Sequence, residues 1–176
     1  KMPGIFLRTS IIAGFPGETE EEFQGLIEDL KLLRFDHLGA FSYSKEEGTK
    51  AAELPGLANI QTRRRRQREV RALHEKISLE RNRMLVGQTL TCLVEGVSDE
   101  TDLLLKARHA GQTTEIDGQV LINSGDAAPG DMVEVLITEA MPYDVVGEIV
   151  GAEKRVAAAV MPAAVLKNRS TAVVLQ

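Results

Sequence analysis

Leu7-Arg8-Thr9-Ser10-Ile11-Ile12-Ala13-Gly14-Phe15-Pro16-Gly17-Glu18-Thr19 sets an unbroken apolar run against a glycine-proline-glycine turn and a helix start. The run Ile11-Ile12-Ala13 does not alternate polar with apolar residues, and so predicts a strand covered on both faces, as in a parallel sheet. Thr19 with Glu22 three residues on forms a capping box, and Glu18, Glu20, Glu21 and Glu22 crowd the end of the helix where the backbone dipole is positive. Phe23, Leu26, Ile27, Leu30 and Leu33 then recur with helical spacing, an apolar stripe suited to lie on the sheet. A second unit follows, in which residues 38–43 read as another buried strand whose carboxyl end runs into the polar segment 44–52. Ligands of α/β sheets gather at strand carboxyl ends. Two such units cannot cover a barrel sheet by themselves. Residues 1–58 are therefore expected to be the carboxy-terminal portion of an α/β barrel of the TIM type, shortened at its amino end.

Residues 59–85 form a basic connecting helix, with nine basic residues against three acidic ones. Val70, Leu73, Ile77 and Met84 fall near a heptad seam, and Arg63, Arg64, Arg65, Arg66, Arg68 and Arg71 are expected on the opposite surfaces. Two readings of those arginines stand side by side. They contact RNA or a phosphate of the ligand, or they are a solvated face paired with Glu69, Glu75 and the acidic domain that follows.

That domain spans residues 86–151. Apolar runs at 90–94, 103–105, 120–122, 133–137 and 145–150 are short and separated by turn residues such as Ser98-Asp99-Glu100, Asp117-Gly118 and Ala128-Pro129-Gly130-Asp131. The spacing predicts a five-stranded antiparallel barrel of the OB-like kind. From residue 87 onward it holds two basic residues, Lys106 and Arg108, against twelve carboxylates, a net charge of −10. Lys and Arg supply most of the affinity of proteins for nucleic acid, so this surface is suited to a strongly basic protein partner. The plainer reading is that the carboxylates only keep a small domain soluble. No run of residues is long and apolar enough to span a membrane; the longest, at 156–166, is broken by Pro162. Residues 152–176 are a tail of unassigned role.

The pairing of the stretch from Thr9 to Phe23 with Phe-Ser-Tyr-Ser-Lys-Glu-Glu-Gly-Thr-Lys-Ala-Ala (Phe41 to Ala52) resembles the carboxy-terminal part of a radical S-adenosylmethionine methylthiotransferase. The β-rich domain is similar to the TRAM domain that closes these enzymes, so the resemblance covers roughly residues 5–151. Two branches are in question: enzymes that thiomethylate an adenosine of transfer RNA, and RimO-type enzymes that thiomethylate an aspartate of a small-subunit ribosomal protein. Glu46 and Glu47 stand where the transfer RNA branch usually has arginine and often proline, and Glu115-Ile116-Asp117-Gly118 also resembles the protein-modifying branch.

The resemblance implies S-adenosylmethionine and two 4Fe-4S clusters as cofactors, in a reducing cytoplasm. It implies a reaction begun by reductive cleavage of S-adenosylmethionine, hydrogen abstraction from the β-carbon of an aspartate, and delivery of sulfur and a methyl group. The strand matching residues 10–14 would lie against the adenine, which makes Ile12, Gly14 and Phe15 cofactor-binding candidates, with Phe41 and Tyr43 from the next strand. For Ile12, Phe15 and Phe41 the alternative is ordinary core packing. Gly14 and Gly17, either side of Pro16, suit permissive turn geometry. Cluster ligation needs thiolates, and Cys92 is the single cysteine; its setting, Leu90-Thr91-Cys92-Leu93-Val94, is that of a small buried hydrophobe. His37, His74 and His109 are far apart with no ligand spacing, so no metal site is expected and the chain alone should not catalyse. The implied partner is a basic small-subunit ribosomal protein, with a contact of Arg63, Arg64, Arg65, Arg66 and Arg68 to ribosomal RNA as a further option. The uncovered sheet edge would favour self-association of the isolated chain. A transfer RNA-modifying relative and a non-catalytic binding module remain alternatives.

Overall fold

The computed structural model describes residues 4–151, and the tail at 152–176 lies outside the described residues. The elements are β1 (Arg8–Ala13), α1 (Glu20–Leu33), β2 (His37–Ser42), α2 (Lys50–Glu53), α3 (Ile60–Leu85), β3 (Thr89–Val97), β4 (Leu105–His109), β5 (Val120–Ser124), β6 (Met132–Ala140) and β7 (Val145–Ile149).

Strands β1 and β2 pair in parallel, with Arg8 opposite His37 and Ile12 opposite Phe41. The capping box forms: the Thr19 hydroxyl accepts from the Glu22 amide at 3.2 Å, and the Glu22 carboxylate accepts from the Thr19 amide at 2.8 Å. Phe23, Ile27 and Leu30 of α1 then join Val70 of α3 in one core, with Ile11, Leu38 and Ala40 of the strands packed against it. Leu33, the last residue of the predicted stripe, is exposed because Arg34 turns left-handed at the helix end. The expectation of a strand covered on both faces is corrected. Both helices lie on the same side of the sheet, and the other face is open, with Ile12 55% and Phe41 56% exposed.

Helix α3 begins at Ile60, one residue inside the predicted 59–85, and is capped by the Asn59 side chain, which accepts from the Thr62 amide at 2.9 Å. Its inward row runs Arg66, Val70, His74 and Ser78, one residue per turn, with Ile77 beside them. Arg66 is therefore buried rather than on the outer surface, and Met84 is exposed rather than on the seam. The helix packs against α1, β1, β2 and β6, and so holds the sheet and the barrel together.

The five barrel strands close in the order β3-β4-β5-β7-β6. The barrel is mixed, not antiparallel: β5 and β7 run parallel, and the other four neighbouring pairs are antiparallel. The reason is geometric. Strand directions can alternate round a closed ring only if the number of strands is even, so a closed five-stranded ring must contain a parallel pair. Cys92, Val94, Val120, Ile122, Val133, Val135, Ile137 and Val145 fill the interior. The second strand lies later than the predicted 103–105. Leu103 is exposed in the preceding turn, and the strand continues as Lys106-Ala107-Arg108, in which Ala107 points inward while Lys106 pairs with Asp99 at 2.9 Å and Arg108 with Glu95 at 2.9 Å.

Candidate functional site: the open sheet face and its turn

The open face ends in the turn that follows β1. Gly14 (φ 74°) and Gly17 (φ 88°) are both left-handed, a conformation that costs other L-residues energy. The Gly14 amide donates to Glu18 Oε1 at 3.0 Å, the Glu18 amide to the Phe15 carbonyl at 3.0 Å, and the Gly17 amide to the Gly56 carbonyl at 3.1 Å. The Tyr43 amide donates to the Ala13 carbonyl at 2.9 Å, tying the end of β2 to the end of β1. Phe15 meets Tyr43 edge to face, ring centroids 5.4 Å apart. Tyr43 is buried and its hydroxyl has no partner, whereas Phe15 is exposed.

All five predicted residues thus belong to one neighbourhood: Ile12 and Phe41 opposite each other on the open face, Gly14 and Phe15 in the turn, Tyr43 beside Phe15. Core packing describes Tyr43 and not Ile12, Phe15 or Phe41, which are exposed. The exposed Ile12 and Phe41, with Phe15 at the turn beside them, form an apolar surface that fits a flat ligand such as an adenine nucleoside.

The first turns of α3 back this site. Arg63 crosses Gly14, where an added Cβ would lie 2.9 Å from Arg63 Cβ and closer still to Cγ. Its guanidinium donates to the carbonyls of Tyr43 and, at 3.0 Å, of Ala58. Arg66, only 4% exposed, donates to Glu18 Oε1 at 2.6 Å, to the Glu18 carbonyl at 3.0 Å and to Glu20 Oε2 at 3.0 Å. Arg65 pairs with Glu20 at 2.7 Å and with Glu69 at 3.2 Å. The arginine partners are therefore the glutamates at the start of α1, plus Glu69, rather than the acidic barrel. Of the five arginines considered for RNA, Arg64 and Arg68 are exposed and carry no ion pair among the described residues. The inward position of Arg66 could have been found by counting back one turn from Val70 on the same helix row.

A cleft of about 720 Å³ lies between the sheet, α3 and the barrel, and Ser10, Gly39 and Phe41 of the open face border it. Its floor is an ion network that sequence spacing did not suggest. Asp117 of the barrel, its side chain 4% exposed, pairs with Arg8 of β1, lies 3.1 Å from His37 Nδ1 and accepts from the Thr113 amide at 2.7 Å. His37 Nε2 donates to the Gly111 carbonyl at 2.7 Å, and Asn82 of α3 donates to the Met141 carbonyl at 2.9 Å. The three histidines, far apart in sequence, all border this cleft. Burial holds His74 and His109 below the ordinary histidine range. Their donors do not converge: among the described residues no group of three or more His, Cys, Asp or Glu side chains is placed to hold a metal. Cys92 does not fit a cluster ligand, since it lies inside the barrel and burial pushes its thiol up to about 12. Among the described residues no helix is long and apolar enough to cross a membrane.

The barrel surface is acidic in the folded state as well. Lys106 and Arg108 are both neutralised by their own carboxylates, while Glu100, Asp102, Glu115, Asp126 and Glu139 are exposed. Asp102 and Asp126 border a groove of about 410 Å³ between the β3–β4 and β5–β6 loops.

Residues 86–150 match the TRAM domain family. The chain is also similar to three relatives named ribosomal protein uS12 methylthiotransferase RimO. That of Myxococcus xanthus is 50% identical over 150 residues, which are 85% of this chain and 32% of the relative. That of Trichlorobacter lovleyi is 48% identical over 85% of this chain and 33% of its own length, and that of Geotalea uraniireducens 47% over 85% and 34%. The chain spans about a third of the length of the curated relatives it matches.

Proposed function

This chain belongs to the RimO family of methylthiotransferases, and on that footing we propose that it supplies such an enzyme with one wall of the S-adenosylmethionine pocket and with the surface that docks the substrate. The whole enzyme would add a methylthio group to the β-carbon of an aspartate in a basic small-subunit ribosomal protein, in the cytoplasm. The two 4Fe-4S clusters would be held by cysteines outside this chain, which alone would be inactive. S-adenosylmethionine, when bound, supplies the radical-initiating and methyl-donating chemistry. The residues described here do the holding. Ile12 and Phe41 offer a flat apolar surface to the adenine, Gly14, whose missing Cβ makes room for Arg63, shapes the turn beside them, and Phe15, held edge to face on the buried Tyr43, closes the side. The cleft beside that face is the path along which a loop of the substrate would reach it.

The observation that carries the choice of substrate is the charge of the barrel. With both of its cations already paired, a domain of net charge −10 repels a phosphate backbone and attracts a basic protein. Its field raises the encounter rate and is screened as the Debye length falls from about 30 Å at 0.01 M salt to about 10 Å at 0.1 M. Binding of the chain to uS12, and separately to a transfer RNA anticodon stem-loop, tests this at both salts. Salt-sensitive binding to the protein and none to the RNA is expected. Preference for the RNA would replace this reading with the transfer RNA-modifying one, and Arg64 and Arg68 would then be the first contacts to examine. The two-stranded sheet has unpaired outer edges among the described residues, which would favour self-association of the isolated chain.

A further inference from the structure

We infer that Arg63 and Arg66 are positioning residues for the ligand turn, acting from a helix nearly fifty residues away in sequence to set the backbone of Gly14 and the end of β2. The inference rests on the reading of that turn as part of the S-adenosylmethionine pocket. A guanidinium buried as deeply as that of Arg66 is costly unless its donors are met, and here Nη1 and Nη2 are met by Glu18 of the turn and Glu20 at the start of α1, while Nε stays without a partner. Glu18 Oε1 receives Arg66 Nη1 at 2.6 Å and the Gly14 amide at 3.0 Å, so one carboxylate oxygen links the arginine to the glycine backbone. The second nitrogen, Nη2, holds Glu20, which fixes the first turn of α1, and the guanidinium carbon lies 5.2 Å from the centre of the Phe23 ring. One turn earlier on α3, Arg63 covers Gly14 from behind and holds the Tyr43 carbonyl. The pair thereby fixes the ends of both strands that present Ile12 and Phe41, without touching the open face.

Charged hydrogen bonds from Arg63 and Arg66 on one side give a preformed turn, and preformed turns lower the ordering cost of binding. The test uses the full-length enzyme and S-adenosylhomocysteine as the probe. Arg66→Met keeps the stem over Phe23 and removes the donors; Glu18→Gln keeps the shape and removes the charge. Val70→Ala, in the same core but touching neither turn nor ligand face, is the control for simple loss of stability. Three quantities are read: probe affinity by calorimetry, exchange of the Gly14 amide, and the melting midpoint. Arg66→Met and Glu18→Gln are expected to speed exchange at Gly14 and to weaken probe binding by about tenfold, the equivalent of one charged hydrogen bond. Arg66→Lys should restore part of the affinity, because an ammonium reaches Glu18 but cannot bridge Glu18 and Glu20. Val70→Ala should lower the midpoint and leave affinity unchanged. The inference is overturned if Val70→Ala weakens binding as much as Arg66→Met at equal loss of stability, or if Gly14 exchange rises while affinity stays the same. The second result leaves the S-adenosylmethionine reading standing; a wild-type enzyme that does not bind the probe removes both.

Discussion

Replacing Gly14 by alanine should be among the costliest single-methyl additions in the α/β unit, whereas the same change at Gly17, three residues on, should be mild. Both glycines are left-handed, so each substitution carries about 1–2 kcal/mol of backbone strain. At Gly17 an added Cβ has nothing within 4 Å. At Gly14 it would lie 2.9 Å from Arg63 Cβ and 3.1 Å from Arg63 Cα, so the start of α3 must move away. That movement weakens the two hydrogen bonds from Arg63 to the carbonyls of Ala58 and Tyr43, and a hydrogen bond from a charged donor contributes about 1.5–3 kcal/mol. With both bonds weakened but not lost, Gly14→Ala should destabilise by about 3–5 kcal/mol against about 1–2 kcal/mol for Gly17→Ala. Each kcal/mol moves the melting midpoint of a chain this size by about 2–4 °C. Thermal unfolding of the two variants, followed by exchange of the amides of Phe23 and Ile27 in the adjoining core, reads the difference. Equal losses at the two positions would show that strain alone operates and that the close approach of Arg63 has no energetic weight.

Three further outcomes follow from the same contacts. Asp117→Asn removes the charge that ties the barrel to Arg8 and His37; since the Arg8 side chain is 38% exposed, the loss is discounted from the buried-pair range to about 1–2 kcal/mol, and should appear as a split of one unfolding transition into two. Cys92, with its thiol pushed up to about 12 by burial, should resist iodoacetamide in the folded chain at mildly alkaline pH and react once urea unfolds the barrel; prompt alkylation without urea would contradict the burial. His74 and His109 titrate below the ordinary value of 6.5 in the folded state, so the unfolded chain takes up their protons first. Their contribution to stability is complete above that value and is lost as pH falls below it. The slope of unfolding free energy below about pH 6.5 should flatten in a His74→Asn, His109→Asn variant, as read by urea titration at several pH values.

Local patterns already carried much of the architecture. The capping box at Thr19 and Glu22, the apolar stripe of α1 and the short alternating runs of the barrel depend on neighbours a few residues apart, where helical and strand periodicity are set by backbone geometry. The candidates Ile12, Gly14, Phe15, Phe41 and Tyr43 came from a motif confined to two short segments, which is why they lie together once β1 and β2 pair. Charge also survives folding unchanged, so the acidic character of the barrel was legible from composition.

What only the tertiary structure decided concerns groups that meet across long stretches of chain. Whether a strand is covered on one face or two depends on which side α1 and α3 choose, and both chose the side of Ile11 and Ala40. Ring closure made the barrel mixed, because parity of strand number is a property of the whole circle. Arginine, with a long stem and a charged head, fits a solvated face or a buried clamp equally well by sequence; only the placement of Glu18 and Glu20 opposite the inward row of α3 made Arg66 a clamp. In the same way Arg8, His37 and Asp117, the last of them about eighty residues or more from its partners, became one network only when the barrel docked on the sheet. Short-range periodicity determines elements, while pairing of charges at long range requires the elements to be packed first.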